Sequence, residues 1–350
     1  MTIVADVYTH IVGVDTHART HTYAVLDTRT SAVEATDVFP TTLAGMRRAI
    51  TWIKRRTGDA TTLLVIECIG SYGAQLAKLA DQTGYTVVEP LPVAAGVKAG
   101  KGKSDPLDAG WIARSVLGAD TDRLRQPRDD EGTRAALRVL IVARDMITAD
   151  HTRTVNALTA LARTIDLGVD ARRPLTKTQI TQIAAWRQRD EPIAETTARS
   201  EAIRLATRIT DMNKELADNR AQIDTLVRAS QAAPLLNHVG IAAINAAVIL
   251  IAWSHPGRIH SEAAFAVLAG VAPIPASSGN TTRHRLSRYG DRRLNQALNS
   301  IVLTRLRFDQ ATRDYQDRRL AEGLSSKEIR RILKRYIARQ IFRKLANPTT

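Results

Sequence analysis

Four acidic residues in the first third of the chain could hold metal ions for chemistry on phosphate groups. Asp15 and Glu67 each end a short apolar run that is typical of a buried strand. Asp105 and Asp108 are three residues apart at the start of a predicted helix, so one helical face presents both. Because the carboxyl ends of strands converge on one rim of an open α/β sheet, we predict that the four carboxylates meet there.

Such a cluster cannot remain fully ionised without a counter-charge. Hard divalent cations with oxygen ligands supply one, and Mg²⁺ is the first candidate. Two such ions about 4 Å apart would stabilise both oxygens of an in-line phosphoryl displacement. Each residue alone also fits an ordinary turn, cap or exposed carboxylate, so the prediction rests on the set. We interpret His10 and His17 as surface or neighbouring residues, because no metal-ligand spacing involves them.

The elements that must position these residues form an α/β domain with a mixed sheet. Strands are predicted over residues 10–15, 20–27, 32–38, 62–67 and 86–89, and helices over 41–56, 71–83 and 105–116. Cys68 is predicted to point into the core. The basic segment 96–103, which contains Lys101 and Lys103, is predicted to be a loop and a nucleic-acid contact. No P-loop and no Gly-x-Gly-x-x-Gly motif occurs, which argues against an ATPase.

The middle of the chain, residues 131–230, is predicted to be entirely helical. One apolar stripe follows alternating steps of four and three residues, and its apolar members are Leu205, Ile209, Met212, Leu216, Ile223 and Leu226. Asn219 occupies the remaining position of this stripe. This spacing is typical of a coiled coil. Two interpretations stay open, which are self-association through the stripe and an ordinary amphipathic helix packed on a core.

The basic excess lies in the last third of the chain. Residues 231–350 carry 19 basic and 7 acidic groups, a net charge of +12, whereas residues 1–130 carry 15 of each. Such a surface favours a polyanion, because each phosphate contact releases condensed counterions. Ser325 and Glu328 predict the capping box of a last helix. We predict phosphate contacts for three of its residues, Arg331, Lys334 and Arg335, and the alternative is a helix that packs on a partner.

Length and composition bound the class of protein. The chain has 350 residues and a single cysteine, which excludes an internal disulfide framework and fits a reducing cytoplasm. Its longest apolar run, residues 241–253, is too short to span a bilayer, and no signal peptide is evident. We therefore expect a cytoplasmic protein of two or three domains with no membrane segment.

Several motifs, taken together and in order, resemble the DEDD-type serine transposases of bacterial insertion sequences. That group includes the pilin-gene DNA invertase and the bridge-RNA-guided recombinases. The motifs that carry the resemblance span the chain, at residues 13–17, 66–72, 103–109, 268–273, 278–279 and 287–290, with Leu294, Ala297 and Leu298.

The resemblance implies three regions. Residues 1–128 form a ribonuclease-H-like (RuvC-like) catalytic domain in which the four acidic residues bind Mg²⁺. Residues 129–232 form an all-α coiled-coil region used in dimerisation. Residues 233–350 form a mostly α C-terminal transposase domain with a nucleophilic serine and a basic helix. By position that serine is Ser278, with Ser277 as the adjacent alternative.

The function that the resemblance implies is site-specific DNA recombination through a phosphoserine intermediate. A serine ester conserves the phosphodiester bond for rejoining, whereas a metal-only nuclease loses it to water. The implied partners are DNA, a guide RNA and further copies of the chain as a homodimer or homotetramer. Phosphate contacts are implied for Arg283, Arg285 and Arg288. The alternatives are a metal-only nuclease of the Holliday-junction type and a non-enzymatic nucleic-acid scaffold.

Overall fold

Strands and helices alternate in the first part of the chain, as its sequence predicts. This computed structural model describes residues 2–92, 104–128, 131–276, 284–285 and 290–347. The first elements are α1 (Val4–Val7), β1 (His10–Thr16), β2 (Thr20–Asp27), β3 (Val33–Pro40), α2 (Leu43–Thr57), β4 (Thr62–Ile66), α3 (Ala74–Gln82), β5 (Thr86–Val88) and α4 (Asp105–Arg114). Helix α1 is absent from the sequence prediction, and α3 begins three residues later than predicted because residues 67–73 form turns.

The five strands form one mixed sheet in the order β3-β2-β1-β4-β5. Strand β1 pairs antiparallel with β2 and parallel with β4, and β5 continues the parallel side. The predicted mixed α/β sheet is therefore confirmed. Strand β1 lies in the middle of the sheet, and its carboxyl end lies next to that of β4.

Side chains alternate between the two faces of the sheet and bury both. One face carries Val12 and Val14 and packs in a core with residues of α2 and α3. The other face carries Ile11 and packs with Ile112 of α4. Since residues 11, 13 and 15 share this second face, α4 lies over the same side of β1 as Asp15.

The rest of the chain is mostly helical. Its elements are α5 (Gly132–Thr164), α6 (Lys177–Ala184), α7 (Ile193–Arg228), α8 (Ala243–Trp253), α9 (Glu262–Leu268), the strands β6 (Ile274–Pro275) and β7 (His284–Arg285), α10 (Arg292–Phe308), α11 (Gln310–Ala321) and α12 (Ser326–Ala346). The prediction that residues 131–230 are entirely helical is wrong over 165–176 and 185–192. A left-handed glycine, Gly168 at φ 77°, lies in the first of these connections, and Pro192 ends the second.

The apolar stripe of α7 packs against α5 of the same chain. Asn219 donates to the carbonyl of Leu140 at 2.9 Å, and Arg144 donates to the carbonyl of Leu216 at 3.1 Å. The two helices therefore run antiparallel. Ile209 and Met212 of the stripe lie in the core that α5, α6 and α7 share. In this structure the stripe thus packs on a core of its own chain, as the second interpretation predicts. Dimerisation stays a prediction.

The last helix begins as predicted. Ser325 caps α12, and the Ser325 hydroxyl and the Glu328 carboxylate form both halves of a capping box. The chain divides into two compact units, Met1–Asp130 with Trp253–Phe265, and Glu131–Ala252 with Ala266–Thr350. The separate middle and C-terminal domains stay a prediction. Among the described residues, no helix is long and apolar enough to cross a bilayer.

Candidate active site

Asp15 lies at the carboxyl end of the central strand. It is the last but one residue of β1, and its side chain is 10% exposed. His17 follows two residues later, on the same side of the extended backbone. The backbone N–H of His17 donates to the carbonyl of Thr20 at 3.1 Å, which closes the turn into β2. The local sequence thus places a carboxylate and an imidazole side by side at the edge of the sheet.

Gly13 allows α4 to approach this edge. A Cβ on Gly13 would lie 2.1 Å from the Ala109 carbonyl oxygen and 2.5 Å from the Ala113 nitrogen, so a side chain has no room. The helix begins directly at the edge, because Ser104 is its extended N-cap and Pro106 occupies its first turn. This packing brings the first turn of α4, with its two carboxylates, towards Asp15.

Asp15, His17 and Asp105 form one group. The His17 Nε2 lies 3.1 Å from Asp15 Oδ2 and 3.8 Å from Asp105 Oδ1. One ligand atom from each residue lies within 4.8 Å of the others. Sequence reasoning missed His17, although the Asp-x-His spacing at a strand end is a signal that could have found it.

Electrostatics mark Asp15 as the perturbed member of the group. Burial raises the pKa of its carboxyl above the ordinary value, and the charges of Asp105 and Asp108 raise it further. His17 opposes these effects, through its charge and its hydrogen bond. A carboxylate made costly by burial and by like charges is typical of functional sites.

Glu67 is tied to the site through its backbone. Its N–H donates to the carbonyl of Val14 at 3.2 Å, and its carbonyl accepts from the Thr16 hydroxyl at 3.1 Å. Its side chain is exposed and lies outside the three-residue group, as does the carboxylate of Asp108. Of the four predicted carboxylates, two belong to the group, and the other two lie on the elements that form its edge.

The turn after Glu67 corrects one prediction. Cys68 is exposed and not in the core, because the strand ends at Ile66 and Cys68 adopts a left-handed backbone with φ 50°. Burial raises the pKa of its thiol, and the charges of Glu67 and Asp15 raise it further. The turn therefore lies near the acidic edge, a name we use for Asp15, Glu67, Asp105 and Asp108 at the ends of β1 and β4 and the start of α4.

The donor set fits a divalent cation. The His17 Nε2 lies 3.1 Å and 3.8 Å from the two carboxylate oxygens, and all three ligand atoms lie within 4.8 Å of one another, which suits a common ion. Burial raises the pKa of Asp15 although His17 lies against it, so the charged carboxylate is costly at this place. A cation would offset that cost, held by Asp15 and Asp105 with His17 beside them.

Comparisons with known proteins show the family of this chain. A model of the DEDD domain of IS110 elements, described as a transposase, matches residues 12–165. A second model, described as a transposase of the IS116/IS110/IS902 family, matches residues 232–317. The chain belongs to the IS110 family of transposases. The region matched by the first family model contains all four predicted carboxylates and His17.

A relative supports this assignment. The insertion element IS110 uncharacterized 43.6 kDa protein of Streptomyces coelicolor is 31% identical to this chain over 121 residues. The alignment covers 34% of this chain and 30% of that protein. The chain thus matches less than a third of the relative's length.

Several predicted residues of this IS110-family chain lie outside the described residues. They are Ser277, Ser278, Lys101, Lys103, Arg283 and Arg288. Arg285 is described through its backbone, which pairs with Ile274 between β7 and β6.

The stem of the segment that contains Ser278 is closely packed. Gly290 has φ 110°, and a Cβ on it would lie 2.6 Å from the Leu268 carbonyl oxygen. The Asn295 amide donates to the carbonyl of Ala269 at 2.8 Å, and the Lys334 Nζ donates to Asn295 Oδ1 at 3.0 Å. Helices α10 and α12 therefore hold the turn that precedes the predicted serine.

This contact corrects the predicted placement of Lys334. Lys334 is 8% exposed, because it lies beside the buried face of α12 and not on the basic outer face. Burial lowers the pKa of its ammonium, and the charges of Arg331 and Arg330 lower it further. Arg331 is exposed and Arg335 is half-buried, so these two are better placed than Lys334 for phosphate contacts.

Proposed function

We propose that this chain cuts and rejoins DNA at the ends of an insertion element. The observation that carries the proposal is the meeting of Asp15 and Asp105 at the carboxyl end of β1, within the region matched by the DEDD model. The second family match and the net charge of +12 over residues 231–350 support a nucleic-acid substrate.

We assign the N-terminal sheet to the ribonuclease-H-like (RuvC-like) class. The antiparallel β1-β2-β3 meander beside parallel β4 and β5 supports this assignment. So does the position of the acidic residues at the ends of β1 and β4 and at the start of α4.

The cation in this proposal is Mg²⁺ or a close substitute, which supplies charge to polarise the scissile phosphate. Asp15 and Asp105 hold it in place, and the exposed Glu67 and the half-buried Asp108 complete the acidic edge. The close packing of α4 on Gly13 holds Asp105 near Asp15.

Ser278 is the proposed nucleophile, with Ser277 as its neighbour in the same polar segment. Its Oγ forms a bond to phosphorus while the bond to one strand oxygen breaks, and that oxygen leaves as a hydroxyl with the serine proton. A hydroxyl of another strand later attacks the same phosphorus, and the serine regains its proton. The number of phosphodiester bonds is conserved without a nucleotide cofactor.

The proposed partners are the DNA ends, a target DNA, a guide RNA and a second copy of the chain. The basic third of the sequence supports binding of nucleic acid in general. The guide RNA and the homodimer or homotetramer rest on the resemblance of the motifs.

The test is a joining assay with the gene and its native flanking DNA. Wild type is expected to produce joined DNA and a covalent protein–DNA adduct. Ser278→Ala should lose both, and Asp15→Asn should lose both while Asp37→Asn, an exposed carboxylate on β3, retains them. Adducts in Ser278→Ala that disappear in Ser277→Ala would move the nucleophile by one residue. Strand cleavage by both serine variants at the wild-type rate would favour a metal-only nuclease.

A further inference from the structure

The imidazole of His17 lies between the two carboxylates that the proposed cation site uses. We propose that His17 is a nitrogen ligand of that cation, so that the site prefers Mn²⁺ over Mg²⁺. This inference rests on the metal site of the proposed function. The inference adds the imidazole of His17 to the carboxylate ligands and gives the site a preference for Mn²⁺.

The distances fit a shared ion. Ligands about 2.1 Å from one cation lie roughly 3 Å apart at a right angle and roughly 4 Å apart on opposite sides. The His17 Nε2 lies 3.1 Å from Asp15 Oδ2 and 3.8 Å from Asp105 Oδ1, within that interval. The ligand atoms of all three residues lie within 4.8 Å of one another, so a single ion could contact all three after at most a small side-chain adjustment.

The backbone fixes the imidazole at this place. His17 closes the β1–β2 turn through its own N–H, and Asp15 is anchored in the central strand. The His17 side chain is 53% exposed, whereas that of Asp15 is 10% exposed. Asp15 is therefore the inner ligand, and the accessible side of the group carries the imidazole together with Asp105, whose side chain is 60% exposed.

A second group of similar composition does not share these properties. His10, Asp27 and Glu34 also lie within reach of one another, at the start of β1. Asp27 Oδ1 already accepts from the backbone N–H of Thr30 at 2.7 Å and from its hydroxyl at 2.9 Å. These bonds lower the pKa of Asp27, so this carboxylate acts as a turn cap. In the first group, by contrast, Asp15 Oδ2 lies 3.1 Å from His17 Nε2.

An imidazole changes which cation is preferred. Carboxylate and water ligands suit Mg²⁺, whereas a nitrogen ligand favours transition metals. The competing explanation is that His17 only pairs with Asp15 in the metal-free chain and leaves when a cation binds. The two explanations differ in one observable, which is nitrogen coordinated to the bound ion.

The experiment is pulsed electron paramagnetic resonance of the full-length chain with Mn²⁺. Wild type is expected to show hyperfine coupling from a directly bound ¹⁴N, and His17→Ala should lose it. His260→Ala, another exposed histidine of the same compact unit, should retain it. In competition titrations, His17→Asp should shift the Mn²⁺ to Mg²⁺ affinity ratio towards Mg²⁺ by about tenfold.

Each outcome separates the two proposals. Mn²⁺ bound without nitrogen coupling, or coupling that survives His17→Ala, overturns the role of His17 and leaves the carboxylate site intact. Mn²⁺ binding that is equal in wild type and Asp15→Asn overturns the metal site of the proposed function itself. Thermal melts of His17→Ala, whose side chain is mostly exposed, show whether the variant is folded.

Discussion

The acidic edge of the sheet and the basic C-terminal helices use charge in different ways. At the edge, a few carboxylates are brought together by a central strand, a close helix approach and a short turn. In α10 to α12 the cations are many, and most lie at solvent-accessible positions along the helices. One cation, Lys334, is buried and bonds to Asn295.

The acidic edge is suited to holding a cation for chemistry, whereas the basic helices are suited to binding a polyanion. Burial, and after it the charges of Asp105 and Asp108, raise the pKa of Asp15, and a bound cation would offset that cost. Dispersed cations bind a polyanion through counterion release, and each one contributes a similar small amount. Single substitutions should therefore have large effects at the edge and small effects on the basic helices, with Lys334 acting on stability.

The largest effect is expected within the acidic edge. Asp105→Asn should lower DNA cleavage by more than about 100-fold, since even the outer partners of metal ligands typically cost 10- to 100-fold. The matched control is Asp122→Asn in the same compact unit, which should cleave as wild type does. Rates of strand cleavage under single-turnover conditions measure both. Equal rates for Asp105→Asn and the control would remove Asp105 from the site.

The next effect tests how the edge is built. Gly13→Ala should destabilise the chain by about 1–3 kcal/mol, because the new Cβ would collide with the backbone of α4. It should also weaken cation binding, since the collision moves Asp105 away from Asp15. Gly118→Ala is the control, as a Cβ there meets no atom within 4 Å. Urea denaturation and cation titration should change together in Gly13→Ala, and a change in neither would contradict the close packing.

A smaller pair of effects separates the buried cation from the exposed ones. Lys334→Ala should cost about 1–2 kcal/mol of stability, because it leaves Asn295 without its charged partner. Arg331→Ala should leave stability within about 0.5 kcal/mol and lower the salt slope of DNA binding by about 1. Denaturation and salt titration on both variants measure this. The reverse result would restore Lys334 as a phosphate contact.

The smallest effect concerns pH without divalent cations. Burial raises the pKa of Asp15 in the folded chain, so the folded chain binds this proton more tightly than the unfolded chain does. The protonated carboxyl therefore stabilises the fold at low pH. That contribution is lost as pH rises from the pKa of the unfolded state to the pKa of the folded state. Asp15→Asn lacks this loss and should melt at a slightly higher temperature than wild type at pH 7. The difference should vanish in acid, where Asp15 is protonated. A wild type that is more stable than Asp15→Asn at pH 7 without cations would contradict the burial argument.

The sequence places the acidic residues at the ends of their elements for physical reasons, although only Asp15 and Asp105 of the four belong to the observed group. Short runs of apolar residues predict buried strands, and Asp15 and Glu67 are the polar residues at the ends of two such runs. The capping box of α12 is equally local and is found at Ser325 as predicted. The Asp-x-His spacing at the end of β1 is local, but the sequence does not show that α4 brings Asp105 to 3.8 Å from His17, and so the role of His17 is missed.

The helical regions are harder to predict, because the apolar pattern of a helix does not show which other helix it packs against. The heptad stripe of α7 is real, yet several of its residues bury against α5 of the same chain. Lys334 illustrates the same limit. Its position between Leu333 and Arg335 gives no sign that it bonds to Asn295, 39 residues earlier. Long-range contacts of this kind depend on how helices pack.

The most direct test of the acidic edge is anomalous diffraction from crystals grown with Mn²⁺. We expect an anomalous peak within about 2.5 Å of carboxylate oxygens of Asp15 and Asp105, and its loss in Asp15→Asn crystals. A peak at His10, Asp27 and Glu34 instead, or none near β1 and α4, would contradict a metal site at this edge.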